Sequence, residues 1–374
     1  MNRVATLPKK ERNELFTLTA ERRGMGSIAV VEKDFWVCWT LKQLFEHPEL
    51  SKQLIFKGGT SLSKVYGLID RFSEDIDLVL DWGVVSDEQD PMAERTNTKQ
   101  RKVNEALNEK ACAYIAETMV PRLEEALGEH CQLEIKTDEK DQGHVVRVKY
   151  PRTTKTEGLL PYIQLEIGPL ASWLAHSEHS ITPYAAEDFP DLFDAPRCTV
   201  RAIDAERTFW EKATILHHEA HRPFGSVIPE RYSRHYYDLC LMAADEMLKA
   251  SALGQPDLLE NVVLFKKKFY PRGWANYDTA VRGSLKLIPP DHVLKAMQKD
   301  YVALHIHMFT MIRTTATHLI MMTILDKPRC LIFLLITLQT AVLGCSTNKI
   351  TNGPIEDHGC INDFVDTYTE AFEE

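Results

Sequence analysis

The stretch Lys57–Leu80, KGGTSLSKVYGLIDRFSEDIDLVL, collects residue types that handle phosphate and metal. Gly58 and Gly59 follow the apolar run Leu54–Phe56 and let a backbone approach a ligand closely. Thr60 or Ser61 can cap the next helix, and the first-turn amides of such a helix form an anion site. Ser61 and Lys64 add a hydroxyl and a cation. Asp75 and Asp77 then stand two apart in DIDLVLDW, which alternates like a strand. Period-2 geometry puts both carboxylates on one face, and Ile76, Leu78 and Leu80 mark the other as buried. Singly, a Gly-Gly is a tight turn and a D-x-D a solvated strand edge. Together they suit magnesium, which takes one or two carboxylates plus substrate phosphates. Two such ions would activate an attacking hydroxyl and steady a departing pyrophosphate.

A glycine–serine turn, a short helix and a D-x-D in that order resemble the signature of polymerase-beta-like nucleotidyltransferases. Those folds need a third carboxylate on a neighbouring strand. Glu166 in YIQLEIG fits, because Leu165 and Ile167 point to the opposite face. Its expected role is to bind metal and to assist deprotonation of the acceptor hydroxyl; the alternative is an exposed strand glutamate. Period 2 turns Glu74 away from Asp75 and Asp77.

The elements that must hold these groups read as follows. Residues 8–25 are charged and helix-prone, and 30–47 carry an apolar stripe of Val31, Phe35, Cys38, Trp39, Leu41 and Phe45. A polar helix is expected over 98–128, then strands at Gln132–Lys136, Val145–Tyr150 and Tyr162–Ile167. Pro183, Pro190 and Pro196 suggest a linker, and from Asp204 to about Leu304 the pattern is helical. With that resemblance, the pattern implies an α+β fold: a nucleotidyltransferase core with a mixed sheet flanked by helices over 1–195, a helical C-terminal domain over 196–305, and an atypical tail over 306–374. The 374 residues carry a net charge of -10, so nucleic-acid contact needs a local basic patch rather than a basic chain. The 8 cysteines form no C-x-x-C pair and read as reduced cytoplasmic thiols. The first residues lack the apolar segment of a secretory signal.

GGTSLSK followed by RFSEDIDL resembles the first two motifs of the AbiEii/AbiGii toxin family. VEKDFWVCWTLKQLF resembles the helix that precedes them, and RTFWEKATILHHEAH and RYSRHYYDL resemble the two C-terminal motifs. The likeness spans about residues 30–245, with weaker likeness to about 304. It implies the toxin half of a toxin–antitoxin or abortive-infection system, with a cognate antitoxin encoded nearby. It implies transfer of a nucleoside monophosphate from an NTP to an acceptor, in some members the tRNA 3′ end, which stops translation. By motif match, Lys212 would hold the NTP phosphates, Asp238 would complete the site near metals or acceptor, and Arg234 and Tyr237 would support it. Read from the residues alone, Lys212 is a snorkelling surface lysine as readily as a phosphate ligand. Asp238, flanked by Tyr236, Tyr237, Leu239 and Leu241, reads as buried and in need of a partner: Lys212, Arg234 or a metal.

Other features are weighed separately. His217 and His221 stand i,i+4 in HHEAH, but the sequence is not H-E-x-x-H, and packing on the helix outweighs a zinc site. FKKKFYPRGW interleaves Lys266, Lys267, Lys268 and Arg272 with aromatic rings, the composition of a nucleic-acid contact or of a solvated charge run. KPRCLIFLLITLQTAVLGC (327–345) resembles a lipoprotein signal displaced to the C-terminus, so the tail is read as fused or frameshifted, the alternative being an ordinary buried C-terminal helix. Its apolar run is shorter than the ~20 residues of a spanning helix, so no membrane is expected for the functional core. Two rival functions stay open: the same chemistry on a protein or small-molecule hydroxyl, and a non-catalytic nucleotide-binding remnant.

Overall fold

The computed structural model describes residues 1–86, 90–137, 144–154, 159–169 and 175–308. The last 66 residues, and with them the lipoprotein-like segment 327–345, lie outside the described residues.

Seven strands form one mixed sheet: β1 Leu54–Lys57, β2 Asp75–Leu80, β3 Gln132–Thr137, β4 His144–Lys149, β5 Ile163–Gly168, β6 His176–Ile181 and β7 Cys198–Ile203. Their spatial order is β3-β4-β5-β2-β1-β7-β6. β2 runs parallel to β5 and β1 parallel to β7; the remaining pairs are antiparallel. The central strands β1 and β2 supply Leu54, Ile55, Phe56, Ile76, Leu78 and Leu80 to the large core.

Helix Ile28–Glu46 passes through that core. The expected apolar stripe understates its burial, for nearly every residue from Ala29 to Lys42 is buried. Phe35, Trp36 and Trp39 meet edge-on at 5.1 and 5.3 Å, and Phe16 of helix Lys9–Arg22 joins them at 5.5 Å. The polar helix expected over 98–128 is present as Asn97–Tyr114 and Val120–Leu127, joined through a π turn at Ile115–Met119.

Two expectations are corrected. The core does not stop at residue 195, because β7 pairs with β1 and β6; sheet membership carries it to Ile203. The proline-punctuated segment is not a free linker. Pro183 precedes a short helix, Tyr184–Asp188, whose Ala185 and Ala186 are buried in the large core, and Pro190 opens a 3-10 turn. Beyond Asp204 the chain is helical: Ala205–Glu219, Arg234–Ala244, Glu246–Gly254, Pro256–Phe269 and Asp291–Met308 enclose a second core. Leu62 and Ile69, from the segment between β1 and β2, insert into that second core and bind the two layers together. No helix among the described residues is long and apolar enough to cross a membrane.

Candidate active site

Asp77 is the register partner of Glu166 on β5 and of Lys57 on β1. Cross-strand partners share a face, so Glu166, Asp77 and Lys57 form a row across three strands, with Asp75 one pleat along. The turn after β1 fits tightly against this row. Gly58 has φ +82°, and a β-carbon there would lie 1.8 Å from Asp77 Oδ2. A β-carbon on Gly59 would lie 2.7 Å from Arg71 Nη2 and 2.9 Å from Ser73 Oγ. The two glycines thus make room for protein side chains that the site needs. In the helix they open, Gly58–Lys64, the Thr60 hydroxyl donates to the Asp75 carbonyl, and Ser61 donates to the Gly58 carbonyl at 2.9 Å. Thr60 braces the turn against β2, and Ser61 closes the turn on itself.

The carboxylates repel one another in a confined space. Burial, then the charges of Glu166, Glu74 and Asp77, push the Asp75 carboxyl up to about 6. Crowding by protein and the Asp77 charge raise Glu166 as well, although its surface remains open to solvent. Asp75, Asp77 and Glu166 share the face without closing on a common point: among the described residues no group of three His, Cys, Asp or Glu side chains is gathered to hold an ion. Gln164, one pleat along β5, donates to Glu166 Oε1 at 2.8 Å. Asp75 and Asp77 nevertheless fit a cation. Asp75 Oδ1 is buried and has no hydrogen-bond partner in the described structure, and two carboxylates with open positions for water and phosphate is a magnesium pattern.

Lys64, expected beside the phosphates, faces the other way. It pairs with buried Asp34 at 2.8 Å and lies 4.0 Å from the Tyr184 ring centre. Its neighbours in the central helix are tied down too. Lys33 pairs with buried Glu74 and donates to the Leu160 carbonyl at 2.9 Å; Glu32 accepts from the Thr153 amide at 2.6 Å. Glu74 is therefore a structural anion immediately before Asp75, as its strand phase implies.

The helical layer closes the site. Asp238 is wholly buried and accepts from Arg71 at 2.7 and 2.8 Å and from Lys212 at 2.7 Å. Burial opposes its charge, but Arg71 and Lys212 outweigh that and hold its carboxyl well below the usual range. Its oxygens are occupied, so Asp238 sits as the holder of two cations rather than as a group open to metal or acceptor. Burial lowers Lys212, partly offset by Asp238. Two cations on one carboxylate leave an excess positive charge. Arg234, half-buried, adds another; its field acts on Glu166, Lys212 and His235. Tyr237 is buried and lies near Asp70. Arg71 and Lys57 are the site residues that sequence reasoning missed.

The histidines of HHEAH do not form a metal pair. His217 Nδ1 accepts from the Lys286 amide at 3.0 Å, and its Nε2 lies 3.1 Å from the Asn276 carbonyl. His221 Nδ1 bonds the His217 carbonyl, and His218 pairs with Glu219 at 2.8 Å. The basic run is also divided. Lys267 pairs with Asp278, and Lys268 donates to the Met92 and Ala93 carbonyls at 2.6 Å each. Arg272 is exposed beside Trp274, and Lys266 turns inward beside Glu211.

The chain is similar to solved structures. The MenT4 nucleotidyltransferase toxin from Mycobacterium tuberculosis H37Rv is 16% identical with a TM-score of 0.35, covering 89% of this chain and 99% of that one. JHP933 from Helicobacter pylori is 16% identical with a TM-score of 0.30, covering 75% of this chain and 98% of that one. No curated protein sequence matches significantly. The family model described as nucleotidyl transferase AbiEii toxin, type IV toxin–antitoxin system, matches residues 39–315, which include β2, β5 and both motif helices that carry Lys212 and Asp238. The chain belongs to that family, the AbiEii nucleotidyltransferase toxins of type IV toxin–antitoxin systems.

Proposed function

We propose that this nucleotidyltransferase moves a nucleoside monophosphate from an NTP to a hydroxyl at the 3′ end of tRNA, and that the modified tRNA no longer supports translation. The observation that carries the reading is the placement of Asp77 beside Glu166, with Asp75 on the same face and a surplus of cations opposite. The reaction would take place in the cytoplasm, with a neighbouring gene supplying the antitoxin and phage defence as one outcome.

Each group has a physical task. Asp75 and Asp77 would hold magnesium, which would supply charge stabilisation at the phosphates. Lys212, set by Asp238, and Arg234 meet the negative charge of the triphosphate. Arg71 leaves Lys212 only part of the Asp238 charge, which keeps the lysine attractive to phosphate. Glu166, with its raised carboxyl and solvent access, accepts the proton of the attacking hydroxyl. The acceptor oxygen bonds to the α-phosphorus as the bond to pyrophosphate breaks. Positioning and charge do most of the work.

The test is incubation of purified protein with total tRNA, magnesium and each α-labelled NTP, beside Asp75→Ala. Label on tRNA with wild type alone supports the reading and names the nucleotide. Label on the protein, or none on any RNA, overturns the tRNA acceptor. In cells, induction should arrest growth, and Asp75→Ala should relieve the arrest; a variant that stayed toxic would separate toxicity from transfer.

A further inference from the structure

The row on the catalytic face has two ends. Glu166 stands on one side of Asp77 and Lys57 on the other. The Glu166 end serves the transfer reaction. The Lys57 end flanks Asp77 on the side away from the proton acceptor.

Charged and polar side chains from two helices act on Lys57 there. Glu211 comes from helix Ala205–Glu219, and Lys266 and Tyr270 come from the end of helix Pro256–Phe269. Glu211 is held by Arg207 at 3.1 Å and feels Lys57 and Lys266 as well. Arg272 acts on Lys266 from the outer side. Three cations, Arg207, Lys57 and Lys266, thus share one carboxylate, with Arg272 beyond them. Both lysines are partly buried, and among the described residues neither side chain forms a hydrogen bond or an ion pair. Burial opposes the Lys57 charge, but Tyr270, Asp77, Glu211 and Glu166 outweigh it and hold the ammonium above its ordinary range; Lys266 has only the shared Glu211 carboxylate against its burial. Burial, with the repulsion of Lys57, Arg207 and Arg272, pushes Lys266 down to about 8 despite Glu211. An anion at this point would relieve that cost.

The triphosphate does not need these groups. Its cations, Lys212 and Arg234, cluster with Asp238 and Glu166 on the other side of Asp77. The Lys57 end also opens outward, since Tyr270 is 44% exposed and Arg272 lies on the surface beyond it. A path of cations with a ring beside it fits a polynucleotide backbone, where phosphates bind the charges and a base can stack.

We propose that Lys57 and Lys266, continued by Arg272 and the Tyr270 ring, form a subsite for a phosphodiester of the acceptor strand on the side of Asp77 away from Glu166. The subsite rests on the reading of the acceptor as a nucleic acid. It holds the strand so that the terminal hydroxyl reaches Glu166.

Filter binding of end-labelled total tRNA over a range of KCl tests this. It compares wild type, Lys57→Gln/Lys266→Gln and Lys57→Arg/Lys266→Arg, with binding of fluorescent ribonucleoside triphosphates measured in parallel without RNA. Two lost contacts to a single strand should lower the salt slope by about 1.4 and weaken binding at 0.1 M salt by about 25-fold. The arginine pair should restore both. Nucleotide binding should not change, and circular dichroism should show that the glutamine pair keeps the wild-type fold. Unchanged tRNA affinity and slope in the glutamine pair would overturn the subsite. Weaker nucleotide binding with intact tRNA binding would assign the phosphate to the NTP and overturn it too. A wild-type protein that binds no tRNA would sink the nucleic-acid acceptor itself, and the subsite with it.

Discussion

Arg71 reaches across 167 positions of sequence to bind both oxygens of Asp238, at 2.7 and 2.8 Å. The contact joins the segment before the D-x-D to the second motif helix. It fixes Lys212 indirectly, because Lys212 shares the same carboxylate.

Replacing Asp238 by Asn should therefore strand two buried cations. The expected loss is about 3–5 kcal/mol of stability. Urea unfolding followed by tryptophan fluorescence measures it. A loss below about 1 kcal/mol would show that water reaches Arg71 and Lys212 and that the cluster is softer than its burial implies.

Gly58→Ala should damage activity more than stability. The added methyl would meet Asp77 Oδ2 at 1.8 Å, and φ is +82°. Displacing Asp77 by about 1 Å should cost about 100-fold in transfer rate. Gly67→Ala is the control: φ is +62° with nothing within 4 Å. It should cost about 1 kcal/mol of backbone strain and leave turnover intact. Equal loss of turnover in both variants would make the Asp77 contact irrelevant.

Stability should fall in acid through His217. Burial pushes its imidazole down to about 4, and both ring nitrogens are engaged. The unfolded chain protonates this group near 6.5, so protons favour unfolding between about 6.5 and 4. The contribution is absent above that window and reaches about 3 kcal/mol below it. Urea midpoints at pH 7.5, 6 and 4.5, for wild type and His217→Gln, isolate the effect. Parallel curves for the two proteins would contradict it.

Magnesium should compete with a proton at Asp75. Its carboxyl, pushed up to about 6, is charged above that pH and neutral below it. Apparent magnesium affinity should be flat above about pH 7 and fall about tenfold per unit below about 6. Calorimetric titration at pH 5, 6 and 7.5 shows this directly, and EDTA should abolish transfer. Affinity that stays constant down to pH 5 would place the ion elsewhere.

The parts of this site that follow strand period were legible before any coordinates. Asp75 and Asp77 share a face because Ile76 and Leu78 fill the core, and the same alternation singles out Glu166. The need of Asp238 for a cation was readable from its apolar neighbours, though Lys212 was one option among several. Lys57 and Arg71 were not readable, because their roles depend on which strands adjoin and which helix covers them. Lys64 misled, since its spacing fits a phosphate ligand as well as a partner for Asp34. β7 was overlooked although Cys198, Val200 and Ala202 alternate as buried residues. Three prolines upstream drew attention to a linker instead.

The central helix has one turn with three consecutive charges. Glu32, Lys33 and Asp34 point in different directions and hold the Thr153–Thr154 backbone, Glu74 and Lys64. None of these side chains can change alone without abandoning a dehydrated partner. Among related sequences, positions 33 and 74 should vary as a couple, and so should 34 and 64. Position 32 answers to backbone amides, which no substitution removes, and should be the most constant of the three.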